Sequence, residues 1–383
     1  MSEDTFVRVL ERRADDVRPR HLGFDDVRAA AHRIRRRRRV AASAAAAAVV
    51  AGVLIAPGLV GGGSPRGKDP QPAPPAPTGH TAYLHDGRVT LPDGRTVEVD
   101  LDDRDVTQLG VLTDGRIVAA TSRPRAIQVF SPSGDPVARH QVPINAIKMS
   151  ADDTLVAWTD EDHRVVVLEA GVTEPITFQW GIPMPGEGFG SIDAVYGSDC
   201  AHDGCTVLGG DFSTTTTTLS RRAGPGTDLE TSEPLQVTDV SPDGDLWAVS
   251  FPPADGDQFG CSGIYEVETG QVLARNCDTS GLRFAPDGQH LLGMRGDNGM
   301  FGRVEVYDRD LQQLRVYDPE GGRVVKAAAW EDGSHLLVVT AGLDTRPEWS
   351  LVRVPIDGGS PQTLVGPVDG PNPEAGTAFL LSD

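Results

Sequence analysis

From residue 81 onward the chain repeats one phrase: an apolar run, a tight polar turn, and a second apolar run. It reads VLTDGRIVAA from Val111, IKMSADDTLVAW from Ile147, TDVSPDGDLWAVS from Thr238, LRFAPDGQHLLGM from Leu282 and AAAWEDGSHLLVV from Ala327. A second hairpin-like phrase follows each: IQVFSPSG, VVVLEAG, IYEVETG, VEVYDRD and LVRVPIDG. Runs such as Leu246-Trp247-Ala248-Val249 do not alternate between polar and apolar positions, which predicts strands buried on both faces. With Gly115, Asp153, Gly204, Gly244, Gly288 and Gly333 taken as equivalent turn positions, the intervals are 38, 51, 40, 44 and 45 residues. Four short strands in that span is the period of a propeller blade.

The turns carry their own chemistry. In Pro242-Asp243-Gly244 and Pro286-Asp287-Gly288, proline presets φ, aspartate bonds nearby backbone, and glycine takes the left-handed conformation that reverses the chain. Six such turns define six units. Gly376–Ser382 supplies one further strand, and Thr81–Leu84, Arg88–Leu91 and Thr96–Val99 supply three. A blade shared between the two ends of the chain would close the ring and remove its exposed edges. The expectation is therefore an all-β domain over residues 81–383, a seven-bladed β-propeller, with six blades as the alternative. The phrases resemble the repeats of TolB-like and WD-repeat-like bacterial β-propellers, most closely at Ser241–Gly244 and Ala285–Gly288. The glycine-histidine and Trp-Asp landmarks of true WD repeats are missing, and Trp158-Thr159-Asp160 stands out of their register. The resemblance implies a fold and very little about function.

The N-terminal part follows a different pattern. Val40–Val60 is 21 residues without a charge, nine of them Ala and eight Val, Leu or Ile. A helix of that length spans roughly 30 Å, the thickness of a bilayer core. Arg35 to Arg39 precede it directly, so the positive-inside rule places residues 1–39 in the cytoplasm and everything beyond Val60 outside. The expectation is an uncleaved single-pass transmembrane helix over residues 40–60 in the cell membrane; a cleaved export signal is the other reading. Residues 61–80, GGGSPRGKDPQPAPPAPTGH, read as a Pro/Gly-rich linker. In the tail, Phe6, Leu10, Ala14 and Val17, then Phe24, Val27, Ala31 and Ile34, recur at helical spacing on either side of Pro19 and Gly23. This arrangement is similar to the tails of actinobacterial membrane proteins that accompany extracytoplasmic-function sigma factors, which implies a sigma factor as a cytoplasmic partner. The zinc motif of many anti-sigma domains is missing, since the tail holds no Cys.

Charge and cysteine usage narrow the picture further. The net charge of −20 divides into +5 over residues 1–39 and −25 over the rest. Nucleic acid is excluded as a partner of the large acidic part, because phosphate contacts need clustered Lys and Arg. All four cysteines lie beyond the apolar span, and in an oxidising compartment they pair. Cys200 and Cys205 flank a turn-like tetrapeptide; Cys261 and Cys277 are equidistant from Thr269 at a hairpin tip. In both cases the cysteines are expected to meet across an antiparallel pair.

No nucleophile elbow, H-E-x-x-H, P-loop or EF-hand loop occurs, so no catalytic residue, cofactor or metal is assigned. The candidate ligand-facing loops are Phe178–Phe189, with Trp180, Met184 and Phe189, and Phe251–Gly260, with Phe251 and Phe259. The leading reading is a tethered extracytoplasmic binding module for an envelope protein, peptide or glycan. The alternatives are an anti-sigma-like transmembrane regulator and a propeller enzyme, a hydrolase or lyase, using carboxylates around a central channel.

Overall fold

A computed structural model describes residues 81–178, 191–202, 204–210, 216–221, 224–231, 233–253, 260–297, 300–343 and 347–382. The chain divides into two units, Met1–Ala73 and Pro74–Asp383, and the described residues belong to the second. The expected tail, membrane span and linker therefore lie outside the described residues, as do Trp180, Met184, Phe189 and Phe259. Among the described residues no helix is long and apolar enough to cross a membrane.

Among the described residues twenty-eight strands follow one another, interrupted by one 3-10 turn at Cys200–His202. The chain opens with β1 (Tyr83–His85), β2 (Arg88–Thr90) and β3 (Thr96–Glu98). Groups of four follow: β4 (Val106–Val111), β5 (Ile117–Ser122), β6 (Arg125–Phe130) and β7 (Pro136–Gln141), then β8 (Lys148–Met149), β9 (Leu155–Thr159), β10 (Val165–Glu169) and β11 (Ile176–Thr177). The next are β12 (Ser191–Gly197), β13 (Cys205–Gly210), β14 (Thr216–Arg221) and β15 (Gly224–Glu230), and β16 (Gln236–Val240), β17 (Leu246–Ser250), β18 (Ser262–Glu266) and β19 (Gln271–Asn276). Last come β20 (Ser280–Phe284), β21 (His290–Asp297), β22 (Met300–Asp308) and β23 (Gln313–Tyr317), then β24 (Arg323–Trp330), β25 (His335–Gly342), β26 (Glu348–Pro355) and β27 (Gln362–Asp369). The final strand, β28 (Leu380–Leu381), returns to pair with β1 through Tyr83 with Leu381 and Leu84 with Leu380. The first and last described strands thus complete one sheet together, as the sequence predicts.

Among the described residues hydrogen bonding gives six sheets, five of four strands and one of eight. The expected seven separate blades are corrected to six sheets. The reason is local: β22 is long enough for Phe301 to pair with Val325 of β24, which joins β20–β23 to β24–β27. First strands of neighbouring groups meet directly, β28 with β4, β8 with β12, β12 with β16, β16 with β20, and β24 with β28. Leu109 and Ser382 form a parallel bridge at one of these meetings.

The core lies between groups and not within one layer. Leu155–Thr159 and Ile117–Thr121 are buried at every position, because each strand is covered by its own group on both sides and by a neighbour on each face. One apolar cluster joins Leu84 and Val89 to Leu109 and Ile117; another joins Val339 and Trp349 to Phe379 and Leu381. The described part of the chain is an all-β propeller.

The repeated turn letters have distinct causes. Gly115, Gly244 and Gly288 take φ of +85°, +74° and +66°, and Asp153 holds the same corner at +55°. Gly204 is needed for space instead, since a Cβ there would stand 2.0 Å from the Ser198 carbonyl.

Both predicted disulfides are present, Cys200–Cys205 and Cys261–Cys277. The second extends the β18–β19 ladder one step past the pair Ser262–Asn276, as expected. The first does not bridge paired strands. Cys205 faces Gly197 across the ladder, while Cys200 sits in the 3-10 turn, so this bridge closes the turn itself.

Candidate functional site: a charged cavity among the first strands

Several first strands of this fold carry one residue too many for their partners. Bulges interrupt β4 between Val106 and Gln108, β12 between Ile192 and Ala194, and β16 between Val237 and Asp239. A bulge leaves one residue unpaired and re-aims its neighbours. At β4 and β16 this produces the same construction twice. The Thr107 hydroxyl lies 3.1 Å from both the Ala120 and the Asn145 carbonyl, and the Thr238 hydroxyl lies 3.1 Å from Ala248 and 3.2 Å from Leu282. The next side chain then reaches the following group: Gln108 Oε1 accepts the Ile147 N–H, and Asp239 Oδ2 accepts the Phe284 N–H, each at 2.6 Å. Gln236 Nε2 donates to Asp193 Oδ1 at 3.0 Å, and Trp330 Nε1 donates to the Arg283 carbonyl at 3.2 Å.

These strands enclose a cavity of about 110 Å³. Lys148 of β8, Asp193 of β12, Asp239 of β16 and Arg283 of β20 line it, with Phe284 and Trp330 as aromatic wall. Around the ring the charges run positive, negative, negative, positive. Enclosure lowers the Lys148 ammonium below its ordinary range and Arg283 adds to this, while Asp239 and Asp193 oppose it. Arg283 is lowered by enclosure as well, against the pull of Asp239. Enclosure raises the Asp239 carboxyl, although the N–H groups of Phe284 and Val240 and the charges of Arg283 and Lys148 favour its ionised form.

This constellation was missed in the sequence, yet a signal for it exists. Lys148, Asp193, Asp239 and Arg283 are separated by 45, 46 and 44 residues, the period of the repeat itself. A charge recurring once per repeat inside an apolar strand marks side chains that one ring brings together.

Of the residues singled out earlier, those that are described fall elsewhere. Phe251 is 4% exposed and packs in the cluster of Trp247 and Tyr265, with the Arg275 guanidinium 3.8 Å from its ring centre. It is a packing residue and does not line the cavity. Asp243 spends its carboxylate on its own turn, accepting from the Ser241 hydroxyl at 2.7 Å. Asp332, Ser334 and His335 crowd another turn, but hydroxyl and carboxylate both reach the same imidazole nitrogen, Nδ1, so no relay through the ring exists. Among the described residues no cluster of three His, Cys, Asp or Glu could hold a metal.

No protein-family profile and no curated protein matches this chain. Among solved structures it is similar to the C-terminal WD40 domain of Sif2, at a TM-score of 0.46 and 13% identity, over 70% of this chain and 75% of that one. The class of the protein, an all-β propeller, rests on the strand pairing and on the packing between groups described above.

Proposed function

We propose that this protein is a binding module of the TolB-like bacterial type, tethered to the membrane by residues 40–60 and exposed outside it. One observation carries the binding role: four charged side chains from four consecutive groups converge on one cavity beside two aromatic rings. Propellers of this kind meet ligands where loops and first strands end. The ligand classes in view are an envelope protein, a peptide or a glycan. Placement outside the membrane is supported by the uncharged span behind five arginines and by two disulfides, which persist in oxidising compartments. Full-length protein with a tag at each end tests the placement. Protease added to intact cells should remove the C-terminal tag and spare the N-terminal one; protection of both tags sinks it. Capture of envelope components by the detergent-solubilised full chain tests the binding role, and retention of nothing above an unrelated propeller overturns it.

A second reading, a hydrolase or lyase working inside the channel, is favoured by the pairing of Asp193 and Asp239 in one cavity with the Asp239 carboxyl raised. Such an enzyme would use Asp239 as its acid. Asp239→Asn would then abolish turnover of a captured ligand while leaving its capture intact, and turnover surviving that change excludes the reading.

A further inference from the structure

We infer that the cavity takes the carboxylate of an organic acid, held at Lys148. The inference rests on the binding-module reading and names the chemistry of its ligand.

The polar groups around the cavity are almost all committed. Asp239 accepts the Val240 N–H at 2.8 Å on one oxygen and the Phe284 N–H at 2.6 Å on the other. Asp193 accepts from Gln236, Trp330 donates to the Arg283 carbonyl, and the Ser382 hydroxyl accepts the Ala82 N–H at 2.7 Å. The Thr81 hydroxyl donates to the Trp330 carbonyl. Lys148 is different. Its side chain is half-buried where it lines the cavity, and its ammonium group feels Asp193, Asp239 and Arg283 but donates no hydrogen bond to another described residue. Three N–H donors thus face a cavity without a partner, and a ligand that fits must bring acceptors.

Size and charge select among anions. About 110 Å³ is room for roughly three or four waters, enough for a carboxylate and its first carbon atoms. A dianion such as phosphate would meet Asp193 and Asp239 across the same small space, whereas a monoanion meets one carboxylate and one carboxyl that holds its proton more tightly than usual. Phe284 and Trp330 offer apolar wall to the carbon skeleton behind the charged end. The acid can be a free small molecule or the C-terminal end of a peptide; both present the same group.

The sequence holds only three lysines, Lys68, Lys148 and Lys326, which makes the test direct. Full-length protein in detergent is reductively methylated with ¹³C, and the resonance lost in Lys148→Arg is assigned to Lys148. Acetate, benzoate, a short peptide with a free C-terminus, its amidated form, and inorganic phosphate are then titrated in turn. The expected result is a saturable shift of the Lys148 resonance with a carboxylate probe, with Lys326 unmoved and phosphate at least tenfold weaker. A shift from benzoate or acetate alone identifies a free acid as the ligand. A shift from the free peptide but not its amide identifies a chain end. Equal shifts with the amide and the free acid, equal strength for phosphate, or no shift with any carboxylate overturn the inference. Binding by Lys148→Met at unchanged affinity, with an unchanged melting temperature, also overturns it. An envelope ligand captured by the full chain and by Lys148→Met alike would leave the module reading standing while the carboxylate assignment fell.

Discussion

Asp239 of β16 accepts the backbone N–H of Phe284 of β20 at 2.6 Å, and it does so at the position where Gln108 of β4 accepts the N–H of Ile147. One is a charge lining the cavity, the other a neutral amide, yet both pin a bulged first strand to the next group. The acceptor oxygen is thus the structural requirement, and the charge on Asp239 is additional to it. Asp239→Ala leaves the N–H groups of Val240 and Phe284 without this acceptor, at about 1–3 kcal/mol for each buried donor so stranded. Asp239→Asn keeps one oxygen and is expected to lose about half as much. Urea denaturation midpoints should rank wild type, Asp239→Asn and Asp239→Ala in that order; equal midpoints for the two variants would show that the oxygen does nothing.

Ring closure depends on very little chain. Only Leu380–Leu381 and Ser382 complete the sheet begun by β1, and Phe379 packs beside them at 1% exposure, its ring 4.4 Å from that of His85. Removing that ring leaves a cavity at the seam, and large-to-small changes of this kind cost about 3–5 kcal/mol. Because the seam joins the first and last described strands, Phe379→Ala should also expose β1 as an open edge. Lower melting temperature together with concentration-dependent aggregation is the expected outcome. A loss no greater than that from Leu314→Ala, on the exposed outer strand β23, would show that closure is not the weak point.

The repeat could be read from sequence because its turns impose physical demands. Gly115, Gly244, Gly288 and Asp153 occupy left-handed corners that few residues tolerate, so the corners advertise themselves. Doubly buried strands such as Leu155–Thr159 likewise show as unbroken apolar runs. What could not be read depends on phase between repeats. Whether Phe301 reaches Val325, joining two groups into one sheet, is set by strand length and not by any local signal. The convergence of Lys148, Asp193, Asp239 and Arg283 appears only once each is placed on a first strand. Phe251 is illegible for the opposite reason: an aromatic residue opening a glycine-rich loop looks available, and nothing local announces Arg275 above it.

Two aspartates should respond to pH with opposite slopes. Burial raises the Asp114 carboxyl, but the Arg116 side chain, the Gly171 N–H and the Arg116 N–H outweigh this and hold it below its ordinary value. Its stabilising contribution is therefore present above the unfolded value, about 3.9, and is lost as pH falls below it. Asp239, raised by enclosure, contributes below the unfolded value and loses that contribution as pH rises through its higher folded value. Melting curves from neutral pH down to about one unit below the unfolded carboxylate value separate the two. Asp114→Asn should be less stable than wild type at neutral pH and converge with it in acid. Asp239→Asn should show its smallest deficit at neutral pH. Parallel curves for both variants would contradict the assigned directions.

The two disulfides differ in access, and their chemistry should follow. Cys277 is exposed and Cys261 half-buried, at the open end of the β18–β19 hairpin. Cys200 and Cys205 are 0% and 2% exposed, and the Glu169 carboxylate holds their turn from the neighbouring group, accepting the Asp199 N–H at 2.8 Å and the Cys200 N–H at 3.1 Å. Thiol–disulfide exchange needs an attacking thiolate to reach sulfur. A mild reductant under native conditions should therefore open Cys261–Cys277 at least about tenfold faster than Cys200–Cys205, as read by alkylation and mass spectrometry. Glu169→Ala frees the turn and should speed reduction of Cys200–Cys205 alone. Denaturant should erase the difference between the pairs, because it removes burial while leaving the cysteines otherwise alike. Equal rates in the folded protein would mean that the Cys200 turn opens readily, and that the bridge from Glu169 contributes nothing to keeping it shut.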